Sequence, residues 1–189
     1  MRTLLVTLLL ALPGLAALAE EEPLPAHPHV VFETSEGAIL VELDGRRAPL
    51  TVKHFVRLVD DGHFDGTIFH RVIPDFVIQG GGYTRDLELR EPPATVPNES
   101  GNGLTNLRGT IAMARQEEPH SARAQFYINA GDNKGLNPNP TRWGYAVFGY
   151  VIEGMDVVDR IAAVPTGPAG DFARDVPIAA VVIEKAYRQ

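Results

Sequence analysis

Phe69-His70-Arg71-Val72-Ile73-Pro74-Asp75-Phe76-Val77-Ile78-Gln79-Gly80-Gly81-Gly82 carries most of what this chain discloses about itself. It sets a cation, an aromatic and an amide (Arg71, Phe76 and Gln79) in an apolar run that ends in three glycines. Pro74-Asp75 is a turn signal, so residues 68–73 and 76–79 are expected to be the two strands of a hairpin. The glycines could be taken for a phosphate loop, but neither a helical pattern nor a P-loop lysine follows. A tight turn with close backbone packing is the expected reading. Three later blocks have the same mixture of apolar and polar residues: Gly109-Thr110-Ile111-Ala112-Met113-Ala114, Ala124-Gln125-Phe126-Tyr127-Ile128-Asn129 and Gly144-Tyr145-Ala146-Val147-Phe148-Gly149.

Outward from these blocks, the rest of the chain reads as short strands with two helices. Residues 29–34 and 38–43 are β-rich runs separated by Ser35-Glu36-Gly37, which predicts another hairpin. Val52, Phe55, Val56 and Val59 recur at the spacing of one helical face. Pro49 stands near the start of that helix and Gly62 beyond its end. A loop rich in Pro, Asn and Gly is expected over 83–108, then strands around 111–114 and 125–128. Asn137-Pro138-Asn139-Pro140 marks a further loop before a strand over 146–151. Met155, Val158, Ile161 and Ala162 place a second helix over 155–163, stopped by Pro165. A final strand is expected over 178–187. Many short strands and two helices favour a barrel or sandwich over a parallel α/β sheet.

The beginning of the chain has a different character. Met1-Arg2-Thr3 is followed by an apolar run over 4–15, then Ala17-Leu18-Ala19, then the acidic trio Glu20-Glu21-Glu22. This is the layout of a cleaved secretory leader over 1–19, with a linker over 20–28 and one domain over 29–189. The apolar run is too short to span a bilayer comfortably and contains Pro13-Gly14. Without the leader and its Arg2, 16 basic residues face 24 acidic ones, a net charge of −8. Such a charge disfavours nucleic acid and anionic membrane as partners. There are no cysteines, so disulfides, thiolate chemistry and cysteine-bound metals are excluded. His27 and His29 could chelate a metal, but two imidazoles without a third ligand make a poor site, and no metal or cofactor is expected. An exported protein without disulfides fits a bacterial periplasm best.

In their order and separation, the four blocks resemble the cyclophilin family of peptidyl-prolyl isomerases, bacterial periplasmic members in particular. The resemblance covers nearly all of the chain after the leader. It implies a mainly β fold, a closed eight-stranded antiparallel barrel capped by two α-helices, its interior filled and its binding groove on the outer face. It implies catalysis of X-Pro bond rotation in proline-containing polypeptides, here in the folding of exported proteins, by an enzyme expected to be monomeric. Arg71 aligns with the family's catalytic arginine. Phe76, Tyr127 and Leu136 match proline-pocket positions, with Val77 beside them. Ala114 and Arg115 match positions where substrate backbone lies along a strand edge, so Arg115 is expected to act through its main chain. Tyr145 falls where a histidine or tyrosine lines the groove.

The residues themselves support part of this assignment. Strand alternation puts Gln125 and Tyr127 on one face and turns Phe126 and Ile128 toward the interior. Val77 and Gln79 likewise share a face. Phe76 is out of phase with them and needs a distortion at Pro74-Asp75 to reach the groove. Gln79 and Gln125 are amides able to hold the Arg71 fork, to bind a substrate carbonyl, or simply to satisfy the barrel rim. His70 is expected to be structural, and Phe126 and Phe148 to be core. Three positions depart from the family pattern: Gly135 stands where many eukaryotic members carry tryptophan, Tyr127 replaces a phenylalanine, and Val77 replaces a methionine. Two rival readings are a binding module that keeps the groove without activity, disfavoured by Arg71, and a ligand-carrying barrel, which would need an interior cavity.

Overall fold

The structure, a computed structural model, describes residues 24–189. The expected leader over 1–19 and the first residues of the linker lie outside the described residues. The remainder of that linker is tied to the domain: Gly45 donates to the Ala26 carbonyl and Leu43 to that of Pro28, both at 2.9 Å.

Side-chain alternation separates an inside from an outside. Val30 and Phe32 point inward along β1 (His29–Thr34), as do Ile39, Val41 and Leu43 along β2 (Gly37–Leu43). The central hairpin is β3 (Thr67–Ile73) and β4 (Val77–Thr84). It is followed by β5 (Thr110–Met113), β6 (Phe126–Asn129), β7 (Val147–Glu153) and, at the end of the chain, β10 (Val182–Arg188). These eight strands close in the order β1-β10-β3-β4-β6-β5-β7-β2. Every neighbouring pair is antiparallel. Closure removes the free edges of the barrel itself.

The interior is filled with side chains. Phe32, Phe55, Phe64, Phe126 and Phe148 are fully buried, and Phe32 stacks on Phe126 at 5.0 Å between ring centres. Both helices send their apolar faces into this core. Helix α1 (Pro49–Asp60) contributes Val52, Phe55, Val56 and Val59, and α2 (Met155–Ala162) contributes Val157, Val158 and Ile161. Pro49 begins α1 as expected, but no local side chain caps it. Glu99, far along the chain, accepts from the Leu50 and Thr51 backbone N–H groups at 3.2 and 2.7 Å. A carboxylate there complements the positive end of the helix dipole.

Three features depart from the sequence reading. The triple glycine is not a turn but part of β4, where Gly81 takes φ +82° and Gly82 lies directly under Gln125. The expected close packing is present: a Cβ on Gly82 would sit 2.2 Å from Gln125 Cγ. The last strand begins at Val182 rather than 178, and Ile178 is exposed. Between α2 and β10 a hairpin appears that the pattern did not predict, β8 (Thr166–Ala169) with β9 (Phe172–Pro177). It packs on β3 through Phe172, whose ring meets His70 and Tyr83 at 5.7 and 5.0 Å.

Candidate active site

A β-bulge presents Arg71 to the outside. Strict alternation would put Phe69 and Arg71 on the same face. Phe69 pairs with Gly80 and Arg71 with the adjacent Gln79, so His70 is an extra residue in β3. The insertion resets the phase. Phe69 stays in the core, and the Arg71 side chain emerges on the outer face, 37% exposed.

From Arg71 a row of facing residues crosses the sheet: Gln79 on β4, Tyr127 on β6, Ala112 on β5 and Val147 on β7. Val77, Ala112, Tyr127 and Val147 form a second apolar cluster, separate from the barrel core. Phe76, Ala114, Leu136 and Tyr145 pack against it. Over this cluster opens a cavity of about 290 Å³, lined by Arg71, Phe76, Val77, Gln79, Ala114, Arg115, Tyr127, Leu136 and Tyr145. Gln125 stands behind this wall rather than in it. A second cavity, about 320 Å³, lies in the loop of Pro138, Asn139, Pro140, Thr141, Arg142 and Trp143, bordered by Ser100 and Gly101.

Phe76 reaches the groove by the distortion its phase required. Asp75 adopts φ +56°, and the Phe76 N–H donates to the Ile73 carbonyl at 3.1 Å, closing a tight turn. The Phe76 carbonyl then accepts from the Asn133 amide at 2.8 Å and from the Ala130 N–H at 2.9 Å. Leu136 comes from a short 3-10 turn, Lys134–Leu136.

Beneath the pocket lies a polar layer that the sequence did not signal. The Tyr127 hydroxyl donates to Asn106 Oδ1 at 2.7 Å, so it is turned away from the cavity and satisfied. Burial holds this phenol well above the usual tyrosine range. Asn106 donates in turn to Asn137 at 3.0 Å, and Asn133 donates to Asn129 at 2.7 Å. Asn106 and Asn129 are fully buried. Each such amide must find partners, so the layer fixes the loops that carry Phe76 and Leu136.

The Arg71 guanidinium has acceptors on two sides. Nη1 donates to Gln79 Oε1 at 3.3 Å, and Nε lies 4.0 Å from Asp175 Oδ2 on β9. Gln79 Nε2 donates to Gln125 Oε1 at 3.1 Å. The Arg115 guanidinium is occupied elsewhere: it donates to the carbonyls of Gln116, Glu117, Trp143 and Gly144, and lies 4.8 Å from the centre of the Tyr145 ring.

Among the described residues, no carboxylate or imidazole lines the cavity. His70, next to Arg71 on β3, is 2% exposed with no partner at Nδ1 among the described residues, and burial pushes it down to about 4. It is therefore neutral at physiological pH. His27 and His29 both approach Glu42, at 3.6 and 3.1 Å, but among the described residues no group of three is arranged to hold a metal.

A filled antiparallel barrel with an outer apolar groove, flanked by Arg71 and Arg115, defines a class of β-barrel protein with a surface site. Comparison with known proteins gives that class its chemistry. A family model for cyclophilin type peptidyl-prolyl cis-trans isomerases matches residues 29–187. A peptidyl-prolyl cis-trans isomerase of Streptomyces antibioticus, cyp18, is 53% identical over 160 residues, covering 83% of this chain and 96% of the relative. Peptidyl-prolyl cis-trans isomerase B of Escherichia coli is 47% identical over 158 residues, covering 82% and 96%. Among solved structures, a cyclophilin type isomerase of Cryptosporidium parvum superposes with a TM-score of 0.69 at 25% identity, covering 86% of this chain and 98% of that one. The chain belongs to the cyclophilin family and is a peptidyl-prolyl cis-trans isomerase.

Proposed function

We propose that Arg71 is the catalytic residue of this isomerase and that the groove beside it receives proline. The X-Pro bond rotates slowly because amide resonance must be broken, against a barrier of about 18–20 kcal/mol. In the twisted state the prolyl nitrogen regains its lone pair and becomes an acceptor. A donor that meets it there stabilises the transition state more than either ground state. The observation that carries this role is the bulge at His70, which turns a permanently charged fork outward beside an apolar pocket with no carboxylate or imidazole in its described lining. Phe76, Val77, Tyr127 and Leu136 would bury the ring, with Tyr145 along the groove. Ala114 and Arg115 would offer main-chain groups to the flanking peptide, a reading supported by the engagement of the Arg115 side chain elsewhere. The Arg71→Ala variant should lose about 10²–10³ in kcat/KM on an X-Pro peptide, roughly 3–4 kcal/mol, with its melting temperature nearly unchanged. Full activity in that variant would end the assignment.

The same reading extends to location. Residues 1–19 act as a cleaved leader, and the mature enzyme works as a monomer, in a periplasm, on proline-containing segments of other exported proteins. The run of charge directly after Ala17-Leu18-Ala19 supports this. Mass analysis of exported protein should find Glu20 as the first residue. Met1 at that terminus would sink the proposal.

A further inference from the structure

We infer that Glu91 is a positioning residue for Arg71, acting through the side chains of Gln125 and Gln79; the inference rests on the catalytic reading of Arg71. The reasoning starts from what each group can donate. A guanidinium only donates, so Gln79 must turn its oxygen toward Arg71, as it does at 3.3 Å. Its amide nitrogen then faces Gln125, which must present an oxygen, at 3.1 Å. The Gln125 nitrogen therefore needs an acceptor. It donates to Glu91 Oε1 at 3.0 Å. A carboxylate can only accept, so the relay has one direction from Glu91 to Arg71. Without that terminus only Arg71 opposes a joint turn of both amides, which would set a Gln79 N–H group against the guanidinium.

Glu91 is built as a fixed end. The preceding Arg90 N–H donates to the Gly82 carbonyl at 2.8 Å, joining this segment to β4 beneath Gln125. Glu91 Oε2 lies 3.7 Å from Arg123 Nε, and the same guanidinium donates to the carbonyls of Pro92 and Pro93. The missing Cβ at Gly82 leaves Gln125 the room to lie flat between Glu91 and Gln79. The Glu91 carboxylate thus controls the orientation of a donor it does not touch.

The test compares Glu91→Gln with Glu91→Lys, each made alone and in a Gln79→Ala background, with kcat and KM measured on an X-Pro peptide and folding followed by thermal melting. Glutamine can face Gln125 with either end, so kcat should fall about threefold; lysine can only donate, so kcat should fall about tenfold, with KM moving less than about twofold in both. In the Gln79→Ala background the relay is already cut, and both factors should shrink to about one. A Glu91→Lys enzyme with unchanged kcat would overturn the inference. So would a loss that persists with Gln79 removed, which would place the effect of Glu91 in the fold. Arg71→Ala, measured beside these, separately tests the catalytic reading beneath it.

Discussion

Strands β4, β6 and β5 have an inner and an outer face built on different terms. Inward, Ile78, Phe126, Ile128, Ile111 and Met113 join a core of apolar side chains held by shape alone. Outward, the same strands carry Gln79, Tyr127 and Ala112, where an apolar floor is bordered by amides and two cations, Arg71 and Arg115. The inner face tolerates no gap, because a filled interior has no water to replace lost contacts. The outer face leaves a gap on purpose and spends its order on directed hydrogen bonds. Stability is therefore concentrated on one side of a single sheet layer and the proposed site lies on the other, and substitutions should separate the two.

The largest effect should come from the inner face. Phe126 is fully buried against Phe32, Phe55, Phe64 and Phe69. Phe126→Ala should cost about 3–5 kcal/mol of stability. For a domain of this size the melting temperature should fall by roughly 10 °C. The folded fraction should keep kcat/KM within a few-fold, although Gln125 and Tyr127 flank the substitution. A collapse of kcat with the melting temperature unchanged would show that the two faces are not separable.

His70, the bulged residue beneath Arg71, sharpens the comparison by adding a pH dependence. Its folded-state value of about 4 lies below the ordinary histidine value of 6.5, mainly because of burial. The unfolded chain binds this proton more readily, so the contribution is fully present above pH 6.5 and is lost as pH falls toward 4. The integrated loss is about 3 kcal/mol. Isomerase activity should remain flat between about pH 6 and 9, since the described lining of the cavity holds no carboxylate or imidazole to act as acid or base. Urea unfolding across the acid range should show a shallower slope in His70→Phe than in the native chain. Equal slopes would remove His70 as the source.

What could be read from the sequence follows the same division. Inner residues repeat with a period of two in strands and 3.6 in helices, so β1, β2, α1 and the Phe126–Asn129 strand were legible from burial pattern alone. The bulge was not, because it breaks that period, and Arg71 was found through the resemblance of its block. The β8–β9 hairpin contains Gly167, Pro168, Gly170 and Pro177, is partly exposed, and forms through docking on His70 and Tyr83. Local pattern carries no sign of such a tertiary contact. Glu91 and Glu99 were missed for a related reason, each being a lone carboxylate in a loop whose partner is distant in sequence. The buried asparagines, Asn106 and Asn129, had as their only signal their presence in apolar company.

Within the groove, the two ends should differ in their response to cyclosporin, the cyclic peptide inhibitor associated with this family. At Gly135, the position of tryptophan in sensitive members, an added Cβ would meet nothing within 4 Å. Trp143 does not fill the place: it is 47% exposed, lies edge-on to His120 at 5.2 Å and does not line the cavity. An inhibitor carbonyl buried without its indole donor costs about 1–3 kcal/mol, and the lost aromatic area adds to that. Binding should be about a hundredfold weaker than in members with the tryptophan, while isomerase activity stays normal. Titration of inhibitor against activity decides it. Nanomolar inhibition would refute the expectation, and a Gly135→Trp variant that gained no affinity would show that another position is responsible.

The smallest effect is expected at Asp175, which brings a carboxylate of the unforeseen hairpin to Arg71. The separation of 4.0 Å exceeds hydrogen-bonding range, and both side chains are partly exposed, Arg71 at 37% and Asp175 at 22%. Arg174 also competes for the carboxylate, at 3.5 Å. Solvent screening limits such pairs to about 0–1 kcal/mol. Asp175→Asn is a clean probe, because its backbone has φ +69° and asparagine accepts that left-handed conformation readily. The hairpin should stay folded while the charge is lost. Arg71 then loses a restraint on Nε but keeps Gln79 at Nη1, so kcat/KM should fall less than about threefold. Adding salt to the native enzyme should bring its rate toward that of the variant, since charges at this exposure are screened within a Debye length of about 3 Å at 1 M. A loss beyond tenfold in Asp175→Asn, or one insensitive to salt, would mean that the carboxylate rather than the amide relay sets the direction of the guanidinium.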